Sequence, residues 1–435
     1  MIRPAVGAMT KTAGKVPQLI RGIAAILFVW LTCAVTLSVV MARRAPAISF
    51  ALGYRTSAGE AALALLQIAD DPKANGDNIV ALSRAALRRE AVSVDAVVAM
   101  GTIAALRNQT TRAEQLFAYS EHLSRRNIPT QLWLIENAVE RGRVDQALIH
   151  YDRAMSVSEN TRPLLLPILS QAAASPAVGD PLARMLARRP LWWPAAMDYF
   201  LASPNAQAIL PKVVLALKLR ADVPTERTYL ISAMKRLSDA GKTKAALSLY
   251  GTVRGPTEAT APIRGGDFEH VGNLPPFDWN LTESAGVSGI IQPGGVGSGH
   301  ALFLSAEAGE QGEAARQVLD LPPGAYRLTA IAGSVAPDRI DRPRLVLSCL
   351  IPDKTVLIDL PFPTATERGT SMTGSVIVPP GCKGQLIQVI MHASLDGSGG
   401  ELCLGLTIFG LHRCRYAERM VLFTTNAPQL KGCMI

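Results

Sequence analysis

Residues 142–154 read GRVDQALIHYDRA, and this stretch decides the architecture of the middle of the chain. Ala147, Tyr151 and Ala154 follow Gly142 at spacings that a 3.6-residue period places on one helix face. Glycine accepts the backbone turn between two helices, alanine lets helices approach closely, and an aromatic one turn later fills the next groove. The pattern stands also 34 residues earlier, where residues 108–120 read NQTTRAEQLFAYS with Asn108, Ala113, Phe117 and Ser120 in the equivalent places. Residues 241–253, GKTKAALSLYGTV, repeat it 99 residues later, close to three such periods, with Ala246 and Tyr250. A weaker copy, GDNIVALSRA, occupies residues 76–85. Alanine-rich helical periodicity runs over residues 58–253, and a helix pair of this kind buries its apolar face only by stacking on its neighbours. The spacing predicts Ala113, Ala147 and Ala246 at helix–helix contacts, with Phe117, Tyr151 and Tyr250 packed beneath them.

These motifs resemble the tetratricopeptide repeat. The likeness covers roughly 190 residues and is good in two adjacent copies and one later copy. Between 163 and 224 it is degraded, with Pro163, Pro167, Pro176, Pro181, Pro190, Pro194, Pro204, Pro211 and Pro224 punctuating short helices. Trp192 and Trp193 in that stretch are expected to pack a capping helix on its neighbour rather than to form a ligand platform. The resemblance implies a solenoid with a concave surface for peptides or partner proteins and no chemistry of its own.

The pattern changes after residue 253. Residues 254–264, RGPTEATAPIR, have the proline and small-residue composition of a linker. Short β-prone runs then recur at 301–305, 326–333, 344–350, 355–360, 374–378, 385–391 and 401–411, separated by Gly and Pro turns. Seven or eight strands predict an all-β sandwich over 265–415, with 416–435 as a tail. The opening GGDFE (265–269), followed by PFDW (276–279), resembles the first strand of jelly-roll carbohydrate-binding modules and galactose-binding-like domains. That resemblance implies glycan binding, and a structural calcium with Asp267 or Glu269 as hard oxygen ligands. A turn or capping role for either carboxylate is the alternative. It also offers Trp279 as a sugar platform, although in similar modules this Trp equally serves as a core residue.

Residues 22–42, GIAAILFVWLTCAVTLSVVMA, hold no charge over 21 positions, enough to cross a hydrocarbon core of about 30 Å. The arm 1–21 carries Arg3, Lys11, Lys15 and Arg21 with no acid, which favours a cytoplasmic arm. Arg43 and Arg44 weaken that asymmetry. Ala45-Pro46-Ala47 has the small-x-small form of a cleavage site, but the apolar run exceeds the usual 7–15 residues of a cleaved signal. The expectation is one transmembrane helix in a bacterial inner membrane, with the remaining chain in the periplasm. Anchor, tetratricopeptide-like array and terminal sandwich, in that order, resemble bacterial proteins associated with exopolysaccharide production and export. That likeness implies protein partners from a synthesis or export complex and a polysaccharide ligand.

The formal charge of +9 divides unevenly. Residues 1–44 carry +6, residues 45–262 carry 25 basic and 19 acidic groups, and residues 263–435 carry 13 basic and 16 acidic groups. No dense basic face is available to a nucleic acid in the C-terminal part, so none is expected as a partner. Five of six cysteines (Cys349, Cys382, Cys403, Cys414, Cys433) fall in the last 90 residues and form no C-x-x-C pair. This clustering points to disulfides in an oxidising compartment, with buried free thiols as the alternative. In the exopolysaccharide-associated sandwiches, cysteines stand at a strand end and in a P-x-x-C-x-x-Q segment. Pro379-Pro-Gly-Cys-Lys-Gly-Gln385 matches the latter, so the resemblance pairs Cys349 with Cys382, then Cys403 with Cys414, leaving Cys433 free. Hydrolase and nucleotide-binding signatures are missing: there is no H-E-x-x-H, G-x-S-x-G or G-x-x-x-x-G-K-[ST]. The residues 294–300, GGVGSGH, lack the lysine and following helix of a phosphate cradle. The expectation is a non-catalytic scaffold without a cofactor beyond the calcium; the rival is a glycan-modifying enzyme or its auxiliary targeting subunit.

Overall fold

The structure is a computed structural model, and it describes residues 15–42, 45–51, 55–270, 272–284, 286–294, 299–335, 342–351, 355–366, 368–393 and 404–413. Cys403, Cys414 and Cys433 lie outside these residues, and so do 394–403 and the whole of the predicted tail 416–435. By its internal contacts the chain forms two compact units, Met1–Leu165 and Leu166–Ile435.

The first unit begins with α1 (Lys15–Met41) and continues through α2 (Pro46–Ala51), α3 (Ser57–Asp70), α4 (Gly76–Arg89), α5 (Val94–Leu106), α6 (Thr110–Leu123), α7 (Ile128–Glu140) and α8 (Val144–Val157). Ile20–Met41 of α1 is long and apolar enough to cross a membrane, a property that an anchor and a signal sequence share, and its side chains stand almost wholly exposed. The two adjacent repeat copies end their preceding helices alike. Asn108 and Gly142 are left-handed, at φ 58° and 65°. Gln109 N–H then reaches Ala104 O, and Arg143 N–H reaches Ala138 O, both at 2.8 Å. The left-handed residues themselves donate to Ala105 O and Val139 O at 2.9 Å, completing two Schellman turns. Beyond the turns, Ala113, Phe117, Ala147 and Tyr151 are buried, and Phe117 stacks on Trp133 at 4.3 Å. Phe117 fits because Gly101 of α5 has no side chain: a Cβ there would meet the ring at 3.0 Å. The weaker copy at 76–85 departs from this pattern. Gly76 is the first residue of α4 and Ala81 is exposed, because Asp71 ends the preceding turn by accepting from Lys73 and Ala74 N–H.

Helix α9 (Arg162–Ala172) runs across the division. The second unit then has α10 (Pro176–Leu186), α11 (Trp193–Ala202), α12 (Leu210–Leu217), α13 (Pro224–Asp239), α14 (Thr243–Arg254) and α15 (Pro256–Thr260). Pro176, Pro194, Pro211, Pro224 and Pro256 all stand in first turns, where the missing N–H costs nothing. Trp192 is fully buried, and Trp193 meets Tyr229 edge-on at 5.6 Å. The third repeat copy keeps the Schellman turn, with Gly241 at φ 71° and Lys242 N–H on Leu237 O at 2.8 Å. Ala246 and Tyr250 follow, both buried.

Among the described residues ten strands follow: β1 (Asn280–Leu281), β2 (Val287–Pro293), β3 (His300–Ala306), β4 (Gln311–Leu319), β5 (Gly324–Ala332), β6 (Arg344–Cys349), β7 (Val356–Pro361), β8 (Thr370–Val378), β9 (Gln385–His392) and β10 (Leu404–Arg413). They form two five-stranded antiparallel sheets, ordered β1-β4-β9-β6-β7 and β2-β3-β10-β5-β8. Alternation in β5, β8 and β9 sends one residue in two into a common core that includes Leu328, Val376, Ile387 and Val389. At one edge Gly374 of β8 leaves room for Ile358 and Leu360 of β7, whose methyl groups would collide with a Cβ at 2.4 and 2.6 Å.

Two sequence expectations are corrected here. The GGDFE segment is not a strand: Phe268 is left-handed at φ 58°, its N–H turns back to Gly265 O, and its ring enters the core fully buried. The first strand is Asn280–Leu281. Nor is 254–264 an open tether. It carries α15 and brings Arg264 to 3% exposure, so the helices from α10 onward share one compact unit with the sandwich.

Candidate functional site

The outward face of the sheet β1-β4-β9-β6-β7 carries a polar row set by strand register. Asn280 pairs with Arg316, Arg316 with Gln388, Gln388 with Val346, and Val346 with Asp359. Neighbouring strands lie about 4.8 Å apart, so the row extends roughly 19 Å. A second row, two residues along, brings Glu313, Ile390 and Arg344 side by side. These side chains alternate with core residues Leu345, Leu347, Ile387 and Val389, which is why they face away from the core.

The polar groups hold one another in place. Arg344 grips Asp359 through two contacts, Nε to Oδ1 at 2.8 Å and Nη2 to Oδ2 at 2.7 Å. This charge-assisted fork raises the Arg344 pKa. Glu313 accepts from the Gln388 amide and lies 3.4 Å from Arg316 Nε. Fixed carboxylates, amides and guanidiniums of this kind donate and accept in one plane, which suits a polyhydroxylated chain laid across the strands. The sequence marked 385–391 only as a β-prone run; on its outward side Gln388 stands between Leu386 and Ile390, and which strands flank it is set by the pairing.

The residues singled out from sequence lie elsewhere. Glu269 accepts from His300, from its backbone N–H at 2.8 Å and its ring Nδ1 at 3.0 Å. The backbone hydrogen bond, then the ring, holds the Glu269 carboxyl below its ordinary value. Asp267 is exposed and accepts Glu269 N–H at 3.4 Å. Among the described residues no group of three or more His, Cys, Asp or Glu side chains surrounds either carboxylate as a metal shell. Trp279 is buried against Phe268, ring centres 5.6 Å apart, so its face is not offered to solvent. The Cys349–Cys382 disulfide is present, Cα atoms 5.4 Å apart, joining the end of β6 to the loop before β9. Gln385, the last residue of the P-x-x-C-x-x-Q segment, is fully buried and clamps Leu321 through both its amide atoms.

In the first unit a groove of about 400 Å³ lies along α6, α7 and α8, walled by Trp133, Asn137, Gln146 and His150. Ion pairs Arg141–Glu114 and Arg153–Glu121 hold its sides. His150 is half-buried in this groove, 2.8 Å from Gln131 Oε1, and burial lowers its pKa against the opposing pull of Glu121.

No protein-family model and no curated protein matches the chain. Solved structures similar to its C-terminal part include three of note. One is the enzymatically active domain of bacteriophage CBA120 tailspike protein 4, at 14% identity and TM-score 0.24, where the match covers 35% of this chain and only 22% of that one. Another is TmCBM61 in complex with β-1,4-galactotriose, at 14% identity and TM-score 0.25, covering 35% of this chain and 98% of the module. The third is CBM35 from Cellvibrio japonicus Abf62, at 17% identity and TM-score 0.18, covering 31% and 95%.

Proposed function

We propose that this protein is a non-catalytic, membrane-anchored scaffold that holds a polysaccharide on its β-sandwich and docks partner proteins on its helical array. The observation that carries the glycan reading is the register-paired row Asn280–Arg316–Gln388–Val346–Asp359, polar except at Val346, with Glu313 and Arg344 flanking Ile390 in the second row. Direct ion pairs pre-order these groups, so a ligand would not have to freeze them on binding. A sheet face of linked polar pairs supports the binding role. The groove along α6, α7 and α8 is the proposed partner surface. Helix α1 supports anchorage, and the Cys349–Cys382 bridge supports an oxidising compartment, here the periplasm. We assign the polysaccharide to exopolysaccharide synthesis or export on the order of anchor, array and sandwich.

Affinity electrophoresis of the full chain in detergent, through gels containing soluble bacterial polysaccharides, tests this reading. Wild-type protein should be retarded by at least one polymer, and Arg316→Ala/Gln388→Ala should migrate freely. Unretarded wild-type protein, or a double variant retarded as strongly, would sink it.

A further inference from the structure

Helices α14 and α15 and the segment before β1 enclose a cavity of about 390 Å³ that the polar sheet face does not use. Its wall is built around Asp278. Tyr250 Oη donates to Asp278 Oδ1 at 2.6 Å, while Arg254 Nη2 and Leu274 N–H donate to Oδ2 at 3.0 and 2.9 Å. Asp278 fits there because Gly272 has no Cβ; one would lie 2.1 Å from the carboxylate carbon. Burial, then the hydrogen bond to Asp278, raises the Tyr250 pKa, so the phenol remains a donor.

Two buried donors in the same wall are unmatched. Arg264 is 3% exposed and lies against the rings of Tyr250 and Phe277, at 5.5 and 5.3 Å. Its Nη1 and Nη2 reach the carbonyls of Val318 and Ala259, but its Nε has no acceptor. Trp279 is 8% exposed, and its Nε1 has none either. Both residues line the cavity, and buried N–H groups are nearly always satisfied in folded proteins. The rim offers the opposite chemistry in exposed Glu258 and Asp267.

Charge decides the class of ligand. The lining holds two guanidiniums (Arg254, Arg264) against three carboxylates (Glu258, Asp267, Asp278), so an anion gains nothing by entering. Donors in the wall and acceptors at the rim match a neutral polyol, whose hydroxyls both give and accept hydrogen bonds. We propose that this cavity is a second saccharide subsite that takes one neutral sugar residue, using Trp279 and Arg264 as donors and Asp267 as a rim acceptor. The proposal rests on the reading of the sandwich as glycan-binding, but it concerns different residues.

Saturation-transfer NMR and calorimetry on the full chain in detergent, with glucose, galactose, mannose, N-acetylglucosamine and the anion glucuronate each at about 10 mM, make the test. At least one neutral sugar should bind, and more tightly than glucuronate. Trp279→Phe keeps an aromatic side chain, smaller than the indole, and removes the donor; it should weaken binding about three- to tenfold. Asp267→Asn, at an exposed position, should weaken it in the same sense without altering the melting temperature. Arg316→Ala/Gln388→Ala should lose polymer binding and keep the monosaccharide. No neutral sugar bound, preference for glucuronate, or affinity untouched by both Trp279→Phe and Asp267→Asn would each overturn the subsite. Polymer binding that persists in those cases would leave the sheet-face reading standing by itself.

Discussion

Glu226 stands in the first turn of α13, where its carboxylate accepts Arg189 Nη1 and Nη2 at 2.6 and 3.0 Å and Arg220 N–H at 2.8 Å. The Arg189 hydrogen bond, foremost, holds its pKa below the ordinary value. A carboxyl with a depressed folded pKa stabilises the fold above about pH 4.3, and that contribution disappears as pH falls through the folded pKa. Glu226→Gln should therefore cost about 1–3 kcal/mol at pH 7 and show a flatter stability profile on the acid side. Melting curves from neutral pH into the acid range check this; parallel profiles for both proteins would refute it. Tyr250 gives a second case. As a groove filler alone it would tolerate Phe, but its hydroxyl serves the buried Asp278. Tyr250→Phe should cost about 1–3 kcal/mol in urea unfolding, and a neutral result would reduce Tyr250 to packing.

At the scale of elements, the left-handed turns and the disulfide are the testable joints. A Cβ at Gly142 meets nothing within 4 Å, so Gly142→Ala isolates the backbone term and should cost about 1–2 kcal/mol. Asn108, already a side chain at φ 58°, should be improved or unchanged by Asn108→Gly. Thermal melts of the two variants should move in opposite directions or differ clearly. The Cys349–Cys382 bridge closes a span of 33 residues, for which the chain-entropy model gives about 3–4 kcal/mol. Cys349→Ala/Cys382→Ala should lower sandwich stability by that order, and an unchanged urea midpoint would remove the bridge from the account. Its position was legible because Pro379–Gln385 matched a known pattern. Strand β4 was not: Glu313, Ala314, Ala315 and Arg316 have little β preference, and pairing with β9 on one side and β1 on the other makes them a strand.

For the whole molecule, the proposed anchorage through Ile20–Met41 carries a topological prediction. With the basic arm inside, residues 45–435 are predicted in the periplasm. Alkaline phosphatase fused after Ile435 should be active, and a fluorescent reporter that matures only in the cytoplasm should stay dark there. The reverse pattern would place both the polar face and the cavity in the cytoplasm, away from any exported polymer.

Periodicity alone determined the helical array, the apolar span and the sandwich class. Each depends on local spacing: a 3.6-residue face, an uncharged run of membrane length, or alternation between Gly and Pro turns. The repeat turns were equally local, since Asn108, Gly142 and Gly241 accept a left-handed backbone without help from distant residues. What tertiary structure decided are the groupings that bring remote residues together. Arg316, Gln388 and Asp359 share a row only because β4, β9, β6 and β7 pair in one register. Trp279 is a core residue rather than a platform because Phe268 turns back onto it. Tyr250, Arg264 and Asp278 form one wall because the third repeat packs in the same unit as the sandwich. Spacing along the chain carries no information about such contacts, because they depend on which apolar faces bury one another.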